Sequence, residues 1–302
     1  MPYRPSSQPP PPSHPIRVPG GRRTGVRSAL LAGSVAAFLG AGALAPAVAA
    51  TGPSRSGTAV AGVPGVQPQG KARVTAAVLD LDARAGTPRV YGDDTPYDTA
   101  SIIKVDILAT TLLQAQDAGR PLSRQERAET AAMIQRSDNA AANALWRRIG
   151  MASGLEAANK RLGLTSTTGG TGAKWGLTRT TATDQIRLLR AVFDTGRPAP
   201  AGGTGLSAAS RDYIRTQMNH IAADQTWGVS AASDSGSALK NGWLQRNTTG
   251  LWDINSVGRI TACGHHYLVA VLSDGNTSMR DGIALVERAA RAAVSSSSTP
   301  TH

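Results

Sequence analysis

The sequence predicts an α+β domain, in which an antiparallel sheet is formed by both chain ends and a helical lobe is inserted between them. Alternating apolar residues predict strands near the start of the domain, at 72–83 and 89–92. Helical spacing of apolar residues dominates from 99 to 218. Strand patterns return after residue 237, and a last helical segment, 279–294, covers the sheet.

Residues 1–49 have the layout of a secretory signal peptide. Basic residues, including the pair Arg22-Arg23, precede an uncharged run from Ala29 to Ala45, and Ala47-Val48-Ala49 provides a small-x-small cleavage site. An uncleaved membrane anchor is the alternative, but the run is short and rich in alanine and glycine. We therefore expect a secreted protein, extracellular or cell-wall associated, with no stable membrane span after processing. Sec and twin-arginine export both remain open.

Residues 50–70 contain proline and glycine without periodicity and are predicted to be a flexible linker. The domain is predicted at 71–297, followed by a short tail, 298–302, and we expect a monomer. Cys263 is the only cysteine, so no internal disulfide supports the core. It lies in the apolar run 260–272 and is predicted to be a small buried hydrophobe.

Charge restricts the classes of partner. The formal net charge is +12, and removal of the first 49 residues, with five arginines and no acid, lowers it to +7. A moderately basic exported protein suits an anionic cell wall or an anionic substrate. Aromatic residues make up only 4% of the chain and no dense basic block is present, so no nucleic-acid partner is expected.

The helical lobe is predicted to contain six helices. Asp98 or Thr99 could cap the first, and Ser123 with Glu126 has the spacing of a capping box at the second. The polar, glycine-rich loop 165–178 is long enough to suggest a function. The six helices are predicted at 99–119, 123–136, 140–149, 155–162, 181–193 and 206–218.

The C-terminal part of the domain is predicted to supply most of the sheet. The last three of its four strands are expected to form a meander, before the closing helix. The four strands are predicted at 237–244, 250–256, 259–263 and 266–273.

Ser101 and Lys104 are candidates for a nucleophile and its base. They lie three residues apart at the start of an apolar helix, so they share one face near the end that favours an anion. Only five of the 32 basic residues are lysines, and lysine, unlike arginine, can lose its proton in a protein. The alternative is a core lysine whose amine reaches water.

Three short motifs follow one another: Ser101-Ile-Ile-Lys104, Ser137-Asp138-Asn139 and Lys240-Asn241-Gly242. This order resembles the class A β-lactamases and penicillin-binding proteins, whose motifs are SxxK, SDN and KTG. The resemblance covers residues 71–297 and implies a β-lactamase/transpeptidase-like fold. It also implies a secreted serine hydrolase that forms an acyl-enzyme.

The resemblance implies roles for individual residues. Ser101 would attack an amide carbonyl, and Lys104 would accept its proton. Ser137 would carry a proton to the leaving nitrogen, and Lys240 would attract a substrate carboxylate. The oxyanion hole would consist of the N–H groups of Ser101 and Trp243, and the substrate-binding residues would be Asn139, Asn241 and Gly242.

Three departures from the family pattern affect these expectations. The chain between the SDN motif and Thr181 has no glutamate in its loop, so activation of a deacylating water is in doubt. Asn241 replaces the hydroxyl residue of KTG. Ser101 and Ser137 are only 36 residues apart, which predicts a more open cleft.

No metal or cofactor is expected. His265 and His266 are neighbours on a predicted strand and point to opposite faces, so they cannot chelate one metal together. The sequence has no G-x-S-x-G elbow, P-loop or dinucleotide fingerprint. Trp175 is expected in the core or cleft lining.

The expected substrate is a β-lactam or a similar amide. Two alternative functions remain: a D,D-carboxypeptidase or acyltransferase that acts on peptidoglycan stem peptides, and a non-catalytic cell-wall binder.

Overall fold

A computed structural model describes residues 62–83, 86–196 and 205–297. The predicted signal peptide, the first part of the predicted linker and the C-terminal tail lie outside the described residues. Within the described ranges, no helix combines the length and the apolar character needed to cross a bilayer.

The main sheet has five antiparallel strands in the order β2-β1-β7-β6-β5, and the two remaining strands, β3 and β4, pair with each other. The N-terminal strand β1 pairs with the C-terminal strand β7 along its whole length. Both chain ends therefore build the sheet, which confirms the predicted α+β class. The strands are β1 (Arg73–Asp80), β2 (Arg89–Tyr91), β3 (Tyr97–Asp98), β4 (Arg179–Thr180), β5 (Ser237–Gln245), β6 (Trp252–Ala262) and β7 (His265–Asn276).

The helices pack on both faces of this sheet, and residues of β1 alternate between the two cores. Ala77 and Leu79 belong to the core shared with the helical lobe, whereas Ala76 and Val78 belong to the core under the closing helix α7. The helices are α1 (Ile103–Asp117), α2 (Arg124–Gln135), α3 (Asn139–Arg148), α4 (Met151–Leu162), α5 (Ala182–Phe193), α6 (Ala208–Asn219) and α7 (Met279–Ser297).

Local signals predicted the start of α2 correctly. The Ser123 hydroxyl accepts a hydrogen bond from Glu126 N at 3.1 Å, and the Glu126 carboxylate accepts one from Ser123 N at 2.8 Å. This reciprocal pair is the predicted capping box and satisfies two backbone donors at the helix N-terminus.

Two predictions in the C-terminal half were wrong. The segments predicted as strands 250–256 and 259–263 form one continuous strand, β6. Gly258 lies inside this strand and not in a turn. A Cβ at Gly258 would lie 2.4 Å from Ala238 O, so glycine is needed there for the close approach of the neighbouring strand.

Cys263 is exposed rather than buried, because it lies in the β6–β7 turn, where its φ is +50° and that of Gly264 is +77°.

The folded domain also begins earlier than residue 71. Val63 and Val66 are buried and belong to the core beneath α7. The part of the predicted linker that the structure describes thus contributes apolar side chains to the domain, and the boundary moves back to include it.

Candidate active site

Long-range contacts hold the backbone around Ser101. A 3₁₀ turn, Ala100–Ile102, precedes α1, and neither Asp98 nor Thr99 caps it through a side chain. Instead, Thr99 N donates to Thr178 O at 2.9 Å, and Asn255 Nδ2 donates to Asp98 O and Thr99 O at 2.9 and 3.1 Å. Ala100 has φ +47°, a strained conformation for a residue with a side chain. The hydrogen bonds with Thr178 and Asn255 therefore hold the backbone before Ser101 in place although Ala100 is strained.

Lys104 is fully buried and its amine contacts the second motif. Its Nζ donates to Ser137 O at 2.7 Å, to Ser137 Oγ at 3.1 Å and to Asn139 Oδ1 at 2.8 Å. Burial lowers the pKa of Lys104 to about 7, although the charge of Asp138 opposes the shift. A substantial fraction of this amine is therefore neutral, and basic, at neutral pH.

Lys240 approaches the same serine from β5. Its Nζ donates to Ser137 Oγ at 3.0 Å and to Asn241 O at 2.9 Å. Burial, and secondly the nearby charge of Lys104, hold the pKa of Lys240 well below its usual value. Ser137 itself has φ +54°, which marks a second strained residue in the site. Because both amines donate to its oxygen, the Ser137 hydroxyl proton is free to be given to another group.

Ser101 joins this cluster through its backbone rather than its hydroxyl. A Cβ on Gly242 would lie 2.8 Å from Ser101 N and 2.8 Å from Thr99 O, so the third motif packs directly against the first. The half-buried Ser101 hydroxyl makes no hydrogen bond to either lysine within the described residues. Catalytic hydrogen bonds are often long before substrate binds, so this geometry is compatible with a nucleophile.

The edge of β5 supplies the second side of the crevice. Within the described sheet this strand lies at the edge and pairs with β6 alone, so alternate N–H groups of β5 have no partner in the sheet, and Gly242 packs directly against the backbone of Ser101. Trp243 follows Gly242 on this strand and pairs with Ile254. The structure therefore places the strand expected to donate the second oxyanion-hole N–H beside Ser101.

The predicted substrate-binding amides are both engaged. Asn139 is exposed, and its Oδ1 accepts from Lys104. Asn241 lies next to Lys240 on the strand and so points to the opposite face, where its Nδ2 donates to Gln225 O at 2.8 Å and Trp227 O at 2.9 Å. A contact between the Asn241 amide and a substrate carboxylate would require one of these bonds to break.

Trp175 was expected in the core or cleft lining, and its contact with the lysine was not predicted. Its ring centroid lies 4.8 Å from Lys104 Nζ, and its indole N–H donates to Asn143 Oδ1 at 2.7 Å. It belongs to the loop 165–178, which the sequence singled out only by length and polarity. Glu156, the only acid in the sequence between Asn139 and Thr181, accepts from Gly169 N at 3.1 Å. An aromatic ring, rather than a carboxylate, therefore stands beside Lys104.

Replacement of Gly242 tests the contact between the first and third motifs. In Gly242→Ala, the new Cβ would meet the backbone at Ser101 N and Thr99 O, which cannot rotate away. We expect the free energy of unfolding to fall by about 1–3 kcal/mol and acylation to slow by about 10²-fold, because β5 must move from Ser101. Urea unfolding and acylation kinetics measure both effects. Gly62→Ala, at an exposed position with open space and without a left-handed backbone, is the control; equal acylation rates in the two variants would contradict the contact.

Comparison with known proteins adds two findings. The model of the family described as "Beta-lactamase enzyme family" matches residues 127–296, more than half of the chain, and the match begins after Ser101 and Lys104. No curated protein sequence matches the chain.

Solved structures of β-lactamases and of a penicillin-binding protein have the same fold. The TLA-1 extended-spectrum β-lactamase superposes with a TM-score of 0.64 at 17% identity, over 74% of this chain and 92% of that one. A β-lactamase from Chitinophaga pinensis gives 0.62 at 18% identity, over 74% and 94%. A Leu-to-Glu mutant of PBP-A, as an acyl-enzyme complex with penicillin G, gives 0.60 at 21%, over 76% and 91%. Identities this low show the fold alone.

Proposed function

Because the chain belongs to the beta-lactamase enzyme family, we propose that it is an exported serine hydrolase that forms an acyl-enzyme with a β-lactam or a similar amide and releases it slowly. The observation that carries this proposal is the shared serine: Ser137 Oγ accepts hydrogen bonds from both Lys104 and Lys240, beside the backbone of Ser101. This arrangement can move a proton from a nucleophile to a leaving group.

Acylation begins with removal of a proton from Ser101. The neutral fraction of Lys104, whose pKa is about 7, is the base, since it lies one helical turn from Ser101. Ser101 Oγ attacks the amide carbonyl carbon, and negative charge develops on the carbonyl oxygen. The N–H groups of Ser101 and Trp243 stabilise that charge from the helix end and from the edge of β5.

Collapse of the tetrahedral intermediate breaks the C–N bond and requires a proton on the nitrogen. Ser137 gives its hydroxyl proton to the nitrogen and regains one from the lysines that contact its oxygen. A substrate carboxylate near Lys240 would oppose the lowering of that amine's pKa and favour its charged form, so the two would pair only when substrate is bound. Asn139 binds the substrate amide beside Lys104. Gly242 lets β5 pack directly against the backbone of Ser101, so the strand and the nucleophile reach the substrate together.

Hydrolysis of the acyl-enzyme is proposed to be the slow step. A deacylating water needs a base to orient and deprotonate it. The group that the loop 165–178 places beside Lys104 is the indole ring of Trp175. An indole ring cannot deprotonate a water, and only its π face can accept a hydrogen bond from one. The acyl group is therefore expected to persist on Ser101.

The same observation favours a second candidate function. An enzyme that holds its acyl group for a long time suits transfer or slow hydrolysis of the acyl-D-alanyl bond of peptidoglycan stem peptides. A D,D-carboxypeptidase or acyltransferase is thus the alternative enzyme, and a non-catalytic cell-wall binder is the alternative from another class.

Two assays on the purified protein separate these candidates. A chromogenic cephalosporin reports β-lactam opening by absorbance, and release of D-alanine from a synthetic stem peptide reports carboxypeptidase activity. We expect a burst of about one cephalosporin per chain followed by slow turnover, as accumulation of an acyl-enzyme requires. D-alanine release in preference to this burst would assign the alternative enzyme, and a protein inactive in both assays would contradict an enzymatic function.

Export is proposed from the layout of residues 1–49 alone. N-terminal sequencing of the protein recovered outside cells tests it. A mature N-terminus near residue 50 is expected, and an intact N-terminus inside the cells would contradict export.

Replacement of Trp175 tests its role in deacylation. Trp175→Glu would place a carboxylate near Lys104, where it can hold and deprotonate a water. We expect the lifetime of the acyl-enzyme to fall by about tenfold to a hundredfold. The variant's mass, followed over time after a penicillin pulse, measures the decay. Trp175→Phe, which retains an aromatic ring, is the control, and equally long-lived adducts on the Glu variant and the wild type would contradict this role.

A further inference from the structure

A cluster of carboxylate and imidazole groups lies where the end of β1 meets the start of β7. Asp80, Asp82 and His265 each present one donor atom, and these atoms all lie within 4.8 Å of one another. Asp80 and Asp82 come from the first strand of the sheet and the loop that follows it, whereas His265 opens the last strand, so sequence spacing gives no indication of the cluster. In the sequence, His265 stands beside His266 on one strand and far from both aspartates.

The donor spacing fits one small divalent cation. Tetrahedral zinc bonds of about 2.0–2.2 Å to histidine nitrogen and carboxylate oxygen place neighbouring donors roughly 3.3 to 3.6 Å apart. Asp80 Oδ2 and His265 Nδ1 are 3.0 Å apart, so this pair needs to open by only a few tenths of an ångström to reach that separation. Asp82 is the donor that has to move closer; it is exposed, and its shift would lengthen the contacts that His266 makes with its carboxylate.

Backbone and ring groups orient both carboxylates. Asp82 N donates to Asp80 Oδ1 at 2.8 Å, which leaves Oδ2 of Asp80 directed at His265. His266 N donates to Asp82 Oδ2 at 2.7 Å, and the Nδ1 of His266 lies 3.1 Å from the same oxygen. Outer groups that fix the orientation of ligands in this way are typical of metal sites.

We propose that Asp80, Asp82 and His265 form a binding site for a zinc-type divalent cation, with His266 as the positioning residue of Asp82. Mixed carboxylate and imidazole donors suit zinc, and three protein ligands leave a further position for water. The cation would join the end of β1 to the β6–β7 turn and so stabilise the middle of the sheet.

The proposed site is separate from the candidate active site. Asn255, which contacts the backbone beside Ser101, lies near the start of β6, and Ala262, which pairs with His265, lies at its end. Seven residues of strand separate the two positions, or about 23 Å at the usual rise per residue. Zinc is therefore expected to change stability and not acylation.

Calorimetric titration of the metal-free full-length chain with zinc chloride tests the proposal. We expect one high-affinity zinc per chain, weakened by at least about tenfold in Asp80→Asn and in His265→Gln. His220→Gln, which alters an exposed histidine just after the C-terminal end of α6, and Cys263→Ser, which removes the thiol of the adjacent turn, should retain full affinity.

Thermal unfolding provides the second measurement. Zinc should raise the unfolding midpoint of the wild type and of His220→Gln, because a ligand that binds only the native state stabilises it, and should leave Asp80→Asn unshifted. Asp82→Asn, which alters an exposed carboxylate, serves where another variant fails to fold. Absence of wild-type zinc binding at millimolar concentration, or binding weakened by less than about tenfold in all three ligand variants, would overturn the proposal.

Discussion

Ser101→Ala is expected to lower kcat/KM on a chromogenic cephalosporin by at least about 10³-fold, because no other hydroxyl can form the acyl-enzyme. Ser137 cannot replace it, since its oxygen is held between two lysine amines in a strained backbone conformation. Steady-state kinetics with the wild type and the variant at the same pH measure the loss.

The stability of the Ser101→Ala variant and its binding of substrate are the two controls for this result. The Ser101 hydroxyl makes no hydrogen bond within the described residues, so we expect the free energy of unfolding to change by less than about 0.5 kcal/mol. The variant should also still bind the cephalosporin without opening it. Retention of more than a tenth of wild-type activity in a folded Ser101→Ala protein would show that another residue is the nucleophile.

Lys104→Met is expected to slow acylation by about 10²- to 10⁴-fold, because it removes the general base and retains an apolar stem of similar length. The wild-type acylation rate should rise with pH through about 7, since Lys104 acts only after it loses its proton and its pKa lies near that value. The variant should lose this rise. Stopped-flow measurements across the pH range test both statements.

Lys160→Met is the matched control, because Lys160 is an exposed lysine on α4. It should retain both the wild-type rate and the pH dependence. A wild-type acylation rate that does not change with pH around neutrality, or a Lys104→Met variant with the wild-type profile, would exclude Lys104 as the base.

Local sequence signals predicted the elements whose ends are determined locally. The capping box of Ser123 and Glu126 needs only residues three apart. The start of α1 depends instead on Thr178 and Asn255, which are distant in sequence, and no local cap could reveal it. Likewise, a glycine such as Gly258 suggests a turn in the sequence, and only its close approach to Ala238 shows that it belongs inside a strand.

The motifs predicted that Lys104, Ser137 and Lys240 would lie together, but not every contact around them. Lys104, Ser137 and Lys240 meet as expected, with the serine oxygen shared between the lysines. Asn241 points away because strand alternation separates it from Lys240, a consequence that the sequence already contained. Trp175 could not be placed, because the path of a fourteen-residue loop depends on tertiary contacts.

The most direct test of the account is the mass of the protein after exposure to a penicillin, followed by peptide mapping. We expect an increase equal to the mass of one intact penicillin, stable over minutes and located on the peptide that contains Ser101. No adduct and no turnover in the folded wild type, or an adduct on any other residue, would contradict it.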